Sequence, residues 1–460
     1  MKKNSRLPAL LLALLLFVLS ACSPSGLYEE TTEADSTAPK TTDTVNPETT
    51  EEPSISVVVV PDTTPEIPPE ETTSPYPPHD GETIRVLVQN AGGEAFISDL
   101  ADGELATYLS AREAALFADH NTIIRASVSA DIVDRVKNGV LSSNNDFDFL
   151  ILNTFAGAEL LTYGALEALS EVGIDITPTT SGVHTSLTES LSIGGGTYLV
   201  ACDALISEMS SLRVIEYGGA ALSSDPLKMA AEGKFTVELL LNYISELKND
   251  AFAVEQSSIL ALFSAVGGEV FVRNGKGIPQ SSLSEDRDFS EKYENALGLL
   301  KQDSGTNRTA AFTVTEISPA REGVSILPLP KADADSEYVT LADASSMSLL
   351  AAPVGVVDGV RLAKLFNCLC VASGDLRAAE RAKYIDSKSE FGEPIFAILE
   401  DSVRLDLGII LGWGDIDDYI ADSLAGGKSA KNMLGDRVAT MRNKAVETAA
   451  GILAERLNIK

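Results

Sequence analysis

Residues 83–89 read TIRVLVQ, 123–128 read IIRASV and 147–152 read FDFLIL, and the segments between them have helical spacing. The first run alternates and is rich in β-branched side chains, the profile of a strand. Residues 103–118 then place Leu105, Leu109, Ala115 and Leu116 at helical intervals. The second run predicts another strand. Residues 131–141 set Ile132, Val133, Val136 and Val140 on one helical face, the third run is a largely buried strand, and 158–169 return as helix. Strand, helix, strand, helix, strand at this spacing predicts an α/β fold with a right-handed, mostly parallel sheet. Ligands of such sheets sit beyond the carboxyl ends of the strands. That places residues 90–93 and 153–155 on a shared rim.

Upstream, the chain opens MKKNSRLPALLLALLLFVLSAC. Lys2, Lys3 and Arg6 precede an almost purely apolar run over 7–19, and small residues lead into Cys22. This is the pattern of an export signal, too short for the ~20 residues of a membrane-crossing helix. Residues 19–22, LSAC, resemble the bacterial lipobox, so 1–21 are expected to be a signal peptide and Cys22 the site of lipidation. A plainly secreted chain or an uncleaved anchor would reach the same compartment. Residues 22–80 follow as a tether rich in Thr, Pro, Glu and Ser, with eleven of the twenty prolines. Such a segment buries too little apolar surface to offset its ordering entropy, and proline keeps it extended. Residues 54–60, SISVVVV, are the one place in it with strand character.

The whole chain carries −32, and removing Lys2, Lys3 and Arg6 takes it to −35. The tether's thirteen acids against one lysine account for −12 of that, which leaves −23 for residues 81–460. Phosphates would repel such a surface, so nucleic acid is not an expected partner. Anionic lipid is disfavoured for the same reason, and membrane contact is expected through the lipid anchor alone. Beyond Cys22 the cysteines are Cys202, Cys368 and Cys370, an odd number that makes no disulfide framework. The last two sit in the apolar run AKLFNCLCVA and read as small buried hydrophobes. His79, His120 and His184 are too scattered for a zinc site. No Ser or Cys has a recognisable histidine partner for nucleophilic catalysis. Asp333, Asp335 and Glu337 lack the glycine and glutamate of a calcium loop. No cofactor, metal or catalytic group is expected.

Several stretches then become familiar. ADGELATYLSAREAALFADHNTIIRASV (101–128) followed by NNDFDFLIL (144–152) resembles the start of extracellular solute-binding proteins of ABC importers, in a branch common in Gram-positive clostridia. LSIGGGTYLVACDA (191–204), DPLKMAAEGKFTVELLLNYISELKND (225–250) and ALFSAVGGEVFVRNGKGIP (261–279) are similar to later motifs of that family, in the same order. REGVSILPLPKADADSEYVTLAD (321–343) and YIDSKSEFGEPIFAILEDSVRLDLGIILGWGDI (384–416) resemble its return segment and its closing helix and turn. The resemblance covers nearly all of 83–460. It implies a two-lobed, periplasmic-binding-protein-like fold of type II with the ligand between lobes, lobe one at 83–199 and 326–385 and lobe two at 200–325 and 386–460. Gly194, Gly195 and Gly196 would give a crossover backbone freedom or form an ordinary turn, and Pro328 and Pro330 would stiffen the return path. No Lys-Ser/Thr follows the triple glycine, so it is no phosphate cradle, and Gly92-Gly93 fails the spacing of a dinucleotide fingerprint.

Rim positions and matched motifs nominate six ligand contacts. Asn90, Thr154 and Phe155 follow strands of lobe one; Asp203 follows the crossover, where it could equally cap or make a salt bridge. Phe235 takes the tryptophan position of a G-K-W-T-like motif, with a core role as the alternative. Trp413 is the only indole. Its face could stack on a sugar ring while Asp415 accepts hydroxyls, or it could close a turn against a helix. The family's paired tryptophans are missing from 174–182. The expected function is capture of a small solute, a carbohydrate first, for an ABC permease on the outer face of the cell membrane; the alternative is a scaffold, adhesin or sensor on the same fold that has lost uptake.

Overall fold

The computed structural model describes residues 81–459, apart from 91–95, 144, 175–181, 248–250, 285–286, 306–309 and 356–357. The signal segment, Cys22, the tether with 54–60, Gly92-Gly93 and most of 174–182 lie outside the described residues.

The opening run folds in the predicted order: β1 (Glu82–Gln89), α1 (Gly103–His120), β2 (Thr122–Ser129), α2 (Ile132–Ser142), β3 (Phe149–Asn153) and α3 (Thr154–Tyr163). β1 pairs in parallel with both β2 and β3. The helix expected over 158–169 begins and ends earlier. The Asn153 side chain accepts the Ala156 N–H at 2.8 Å and caps the first turn. Gly164 closes the last turn at φ +79°, a conformation that glycine adopts without a Cβ penalty.

The remaining strands are β4 (Arg213–Tyr217), β5 (Phe252–Val254), β6 (Phe271–Arg273), β7 (Pro279–Ser281), β8 (Phe312–Glu316), β9 (Ser325–Leu327), β10 (Thr340–Leu341), β11 (Ser348–Ala351) and β12 (Val403–Arg404). β11 joins the first sheet antiparallel to β3, which gives the order β11-β3-β1-β2. The second sheet has the order β5-β8-β4-β9, antiparallel except for β5 against β8. Helices used below are α4 (Thr185–Ser190), α5 (Ile259–Ala265), α6 (Gly359–Ala372), α7 (Gly374–Ala382), α8 (Leu407–Leu411) and α9 (Arg437–Arg456). Among the described residues no helix is long and apolar enough to cross a membrane.

Period-two alternation decides which side chain goes where. Ile84, Val86, Val88, Phe149 and Ile151 pack with Leu362, Leu365, Phe366 and Leu369 of α6 on one face of the first sheet. Leu87, Leu150 and Leu152 face the other way, into an apolar cluster that continues through Leu160 and Leu161 to Val214, Ile215, Phe312 and Val314 of the second sheet. Cys202, Cys368 and Cys370 are buried in the first of these clusters, as small hydrophobes. Burial raises the Cys368 thiol to about 11, and the neighbouring Cys202 together with burial raises Cys370 well above the usual range.

The triple glycine forms a tight turn. Gly194 and Gly195 have φ of +61° and +81°, and Ile193 and Gly196 exchange both backbone hydrogen bonds at 3.0 and 2.9 Å. Two successive positive φ values are the signature of a two-residue hairpin turn. Pro328 and Pro330 deliver the chain to Lys331, whose N–H donates to Phe235 O at 3.1 Å, while Val237 N–H donates to Lys331 O at 2.9 Å. Asp333 accepts N–H bonds from Asp335 and Ser336 at 3.0 and 2.9 Å and closes an acidic turn.

Candidate functional site

β3 ends at Asn153, and its N–H donates to Gln89 Oε1 at 2.8 Å, which ties together the carboxyl ends of β1 and β3. From that rim α3 departs and presents Phe155, Glu159 and Tyr163 at intervals of four, one helical face. This face and the segment around the end of α8 border an open cavity of about 350 Å³, lined by Phe155, Glu159, Tyr163, Leu411, Trp413 and Arg456 among others. Two of the six nominated residues therefore meet.

Trp413 owes its position to its flanks. Gly412 and Gly414 have φ of +60° and +71°, and a Cβ on Gly414 would lie 2.8 Å from the Arg442 carbonyl. The indole is half-buried, its ring centroid 5.9 Å from that of Phe271. It closes a turn and keeps a surface on the cavity. Phe155 is 44% exposed, unusual for its type. The third ring, Tyr163, has Lys137 Nζ 5.2 Å and the Arg456 guanidinium 5.8 Å from its centroid, attracted by the ring quadrupole. Lys137 also pairs with Glu159 at 2.5 Å, and Arg456 donates to Thr162 O at 2.5 Å. Three aromatic surfaces with charged donors and acceptors between them can hold the apolar face and the hydroxyl edge of one small ligand. Asp415 is drawn to Arg442 at 3.2 Å and does not line this cavity.

The other nominated residues lie elsewhere. Asn90 is exposed at the end of β1, outside the cavity. Thr154 is fully buried and its hydroxyl donates to Ala344 O at 2.5 Å, so it faces the interior and not a ligand. Phe235 is likewise fully buried; its N–H donates to Tyr338 Oη at 3.1 Å, and the segment around Lys331 packs over it. Asp203 is a salt-bridge residue, with the oxygen that meets His184 Nε2 at 2.9 Å lying 3.7 Å from Arg377 Nε.

Asp203 belongs to an ionic network that sequence reasoning missed. His184 also contacts Glu208 through Nδ1. Arg377 of α7 lies 2.6 Å from Glu208 and 2.9 Å from Glu400, and Arg381 lies 2.9 Å from Glu400. Burial pulls the His184 pKa down, but the charge of Glu208 and hydrogen bonds with Asp203 and Glu208 outweigh burial and the opposing Arg377, and hold it at about 9. Burial would raise Glu208, yet His184 and Arg377 keep it below the usual carboxylate range. Among the described residues no group of His, Cys, Asp and Glu is arranged to hold a metal ion.

Two sheets, joined by a chain that passes back to the first through β11, make a mixed α/β fold similar to the periplasmic-binding-protein type. No protein-family model and no curated protein matches the sequence. Among solved structures, the chain is similar to an uncharacterized protein from Listeria monocytogenes EGD-e, at 12% identity and a TM-score of 0.50 over 80% of this chain and 99% of that one. It is also similar to the sugar-binding protein MalE from Xanthomonas citri (13% identity, 82% and 98% covered, TM-score 0.49). A third is an extracellular solute-binding protein family 1 from Alicyclobacillus acidocaldarius (12% identity, 82% and 99% covered, TM-score 0.45). At these identities the likeness is one of fold.

Proposed function

We propose that this chain is an extracellular solute-binding protein that captures a small carbohydrate between its lobes and delivers it to an ABC permease, held to the extracellular face of the cell membrane by a lipid on Cys22. The observation that carries the proposal is the meeting of Phe155 and Trp413 across one cavity at the carboxyl end of β3. The order of family-like motifs over 83–460 supports the same reading, and so does the lipobox-like LSAC at 19–22. Lobe one is taken as 83–199 with 326–385 and lobe two as 200–325 with 386–460. That division keeps β1, β2, β3 and β11 together, and β4, β5 and β8 together, while its boundary at 325/326 runs through β9, which pairs with β4, and it parts β10 from β12.

Calorimetry of the full chain against a panel of mono- and oligosaccharides tests it. One sugar should bind and raise the melting temperature, and Trp413→Ala or Phe155→Ala should weaken it about tenfold or more, the loss of one stacked ring. A panel in which nothing binds would favour the scaffold reading. The apolar cluster that runs on from residues of the first sheet to residues of the second is the feature that favours it.

A further inference from the structure

Phe271, whose ring rests against Trp413, also lines a second cavity of about 260 Å³. Its walls come from three separate segments: Glu189 of α4, Glu269 just ahead of β6 with Arg273 at the end of that strand, and Arg404 at the end of β12. Phe271 and Leu341 supply apolar lining. Arg273 is held in place because its guanidinium donates to the carbonyls of Glu189 at 3.4 Å, Ser192 at 2.9 Å and Ser190. Arg404 makes no side-chain hydrogen bond or ion pair among the described residues, and neither do the carboxylates of Glu189 and Glu269.

The two guanidiniums sense each other. Burial lowers the pKa of Arg273, Glu269 and Asp406 oppose that, and the positive charge of Arg404 adds to it. Asp406 also lines the cavity, but its carboxylate is engaged by the Val270 and Gly408 N–H groups, which leaves Arg404 and Arg273 as the pair that can take an anion between them. A guanidinium fork matches a carboxylate in shape and charge. The unpaired carboxylates of Glu189 and Glu269 accept hydrogen bonds and donate none, so the remainder of the ligand must carry donors such as hydroxyls.

We propose that this cavity binds a monosaccharide-sized sugar acid, its carboxylate on Arg404 and Arg273 and its hydroxyls donating to Glu189 and Glu269. The site is separate from the Phe155–Trp413 cavity and goes beyond the function proposed above.

Calorimetry of the full chain with D-glucuronate, D-glucose, acetate and inorganic phosphate tests it, on the wild type and on Arg404→Gln, Glu269→Gln and Trp413→Ala. Glucuronate should bind at least about tenfold more tightly than the other three. Arg404→Gln should lose about tenfold or more with an unchanged melting temperature, and Glu269→Gln should lose less. The inference is overturned if glucuronate does not bind, if acetate or phosphate binds equally well, or if Arg404→Gln binds as the wild type. A neutral sugar lost on Trp413→Ala, with no glucuronate binding, would overturn this inference and leave the carbohydrate proposal standing.

Discussion

The carboxylate of Asp406 accepts the backbone N–H of Val270 at 2.6 Å, across 136 residues of chain. The same side chain accepts the Gly408 N–H at 2.7 Å and so caps α8, the helix that leads to Trp413. Two stretches that resemble family motifs, around 267–271 and 404–414, are thus one structural joint.

Asp406→Ala should destabilise the protein by about 2–4 kcal/mol, the loss of a cap together with orphaned buried N–H groups. Urea denaturation should show a lower midpoint with an unchanged m-value. A midpoint within error of the wild type would dissolve the joint.

Burial raises the Asp406 pKa to about 6 against the opposing N–H bonds. A carboxyl raised above its unfolded value of 3.8 binds more protons in the folded state between those two values. Its contribution to stability therefore falls as pH rises from about 4 to 6. Asp406→Asn should remove that slope from a plot of melting temperature against pH, and an unchanged slope would assign it to other groups.

His184 predicts a slope at higher pH. Its folded pKa of about 9 lies above the unfolded 6.5, so its stabilisation is full below pH 6.5 and is lost as pH rises through 9, by roughly 3 kcal/mol at most. Melting curves across that window should flatten in His184→Gln. If the mutant keeps the wild-type profile, the imidazolium is not the titrating group.

Arg377 and Arg287 separate buried from exposed charge. Arg377→Ala leaves Glu208 buried without one of its cations and should cost about 3–5 kcal/mol. Arg287→Ala loses only the exposed pair with Glu291 and should cost less than about 1 kcal/mol. Equal losses in denaturation would contradict the placement of the network.

A Cβ on Gly408 would lie 2.3 Å from Val270 Cγ1. Gly408→Ala should cost about 1–3 kcal/mol by overpacking. The double variant with Val270→Ala should recover part of that loss, and additive losses would show that the two positions do not touch.

Alternation and helical spacing made the first sheet legible, because period two and period 3.6 are set by the backbone itself. Strand ends identified the rim, and with it Phe155. Thr154 stands one residue away and was misplaced: its direction is settled by the Ala344 carbonyl, which no local pattern announces. Phe235 was settled by a segment about a hundred residues later, through Tyr338. Glu159 and Tyr163 could have been found from their four-residue spacing after Phe155. The network of His184, Glu208, Arg377 and Glu400 could not, since charges from four distant segments each look like ordinary solvated surface.

The three thiols among the described residues are all buried, two of them with raised pKa values. Since the thiolate is the reactive form, a maleimide dye at neutral pH should pass them by. A cysteine introduced at exposed Asn90 would then be the one position in that region to take a fluorophore, and the native sulfurs could stay in place while its emission is followed during a sugar titration.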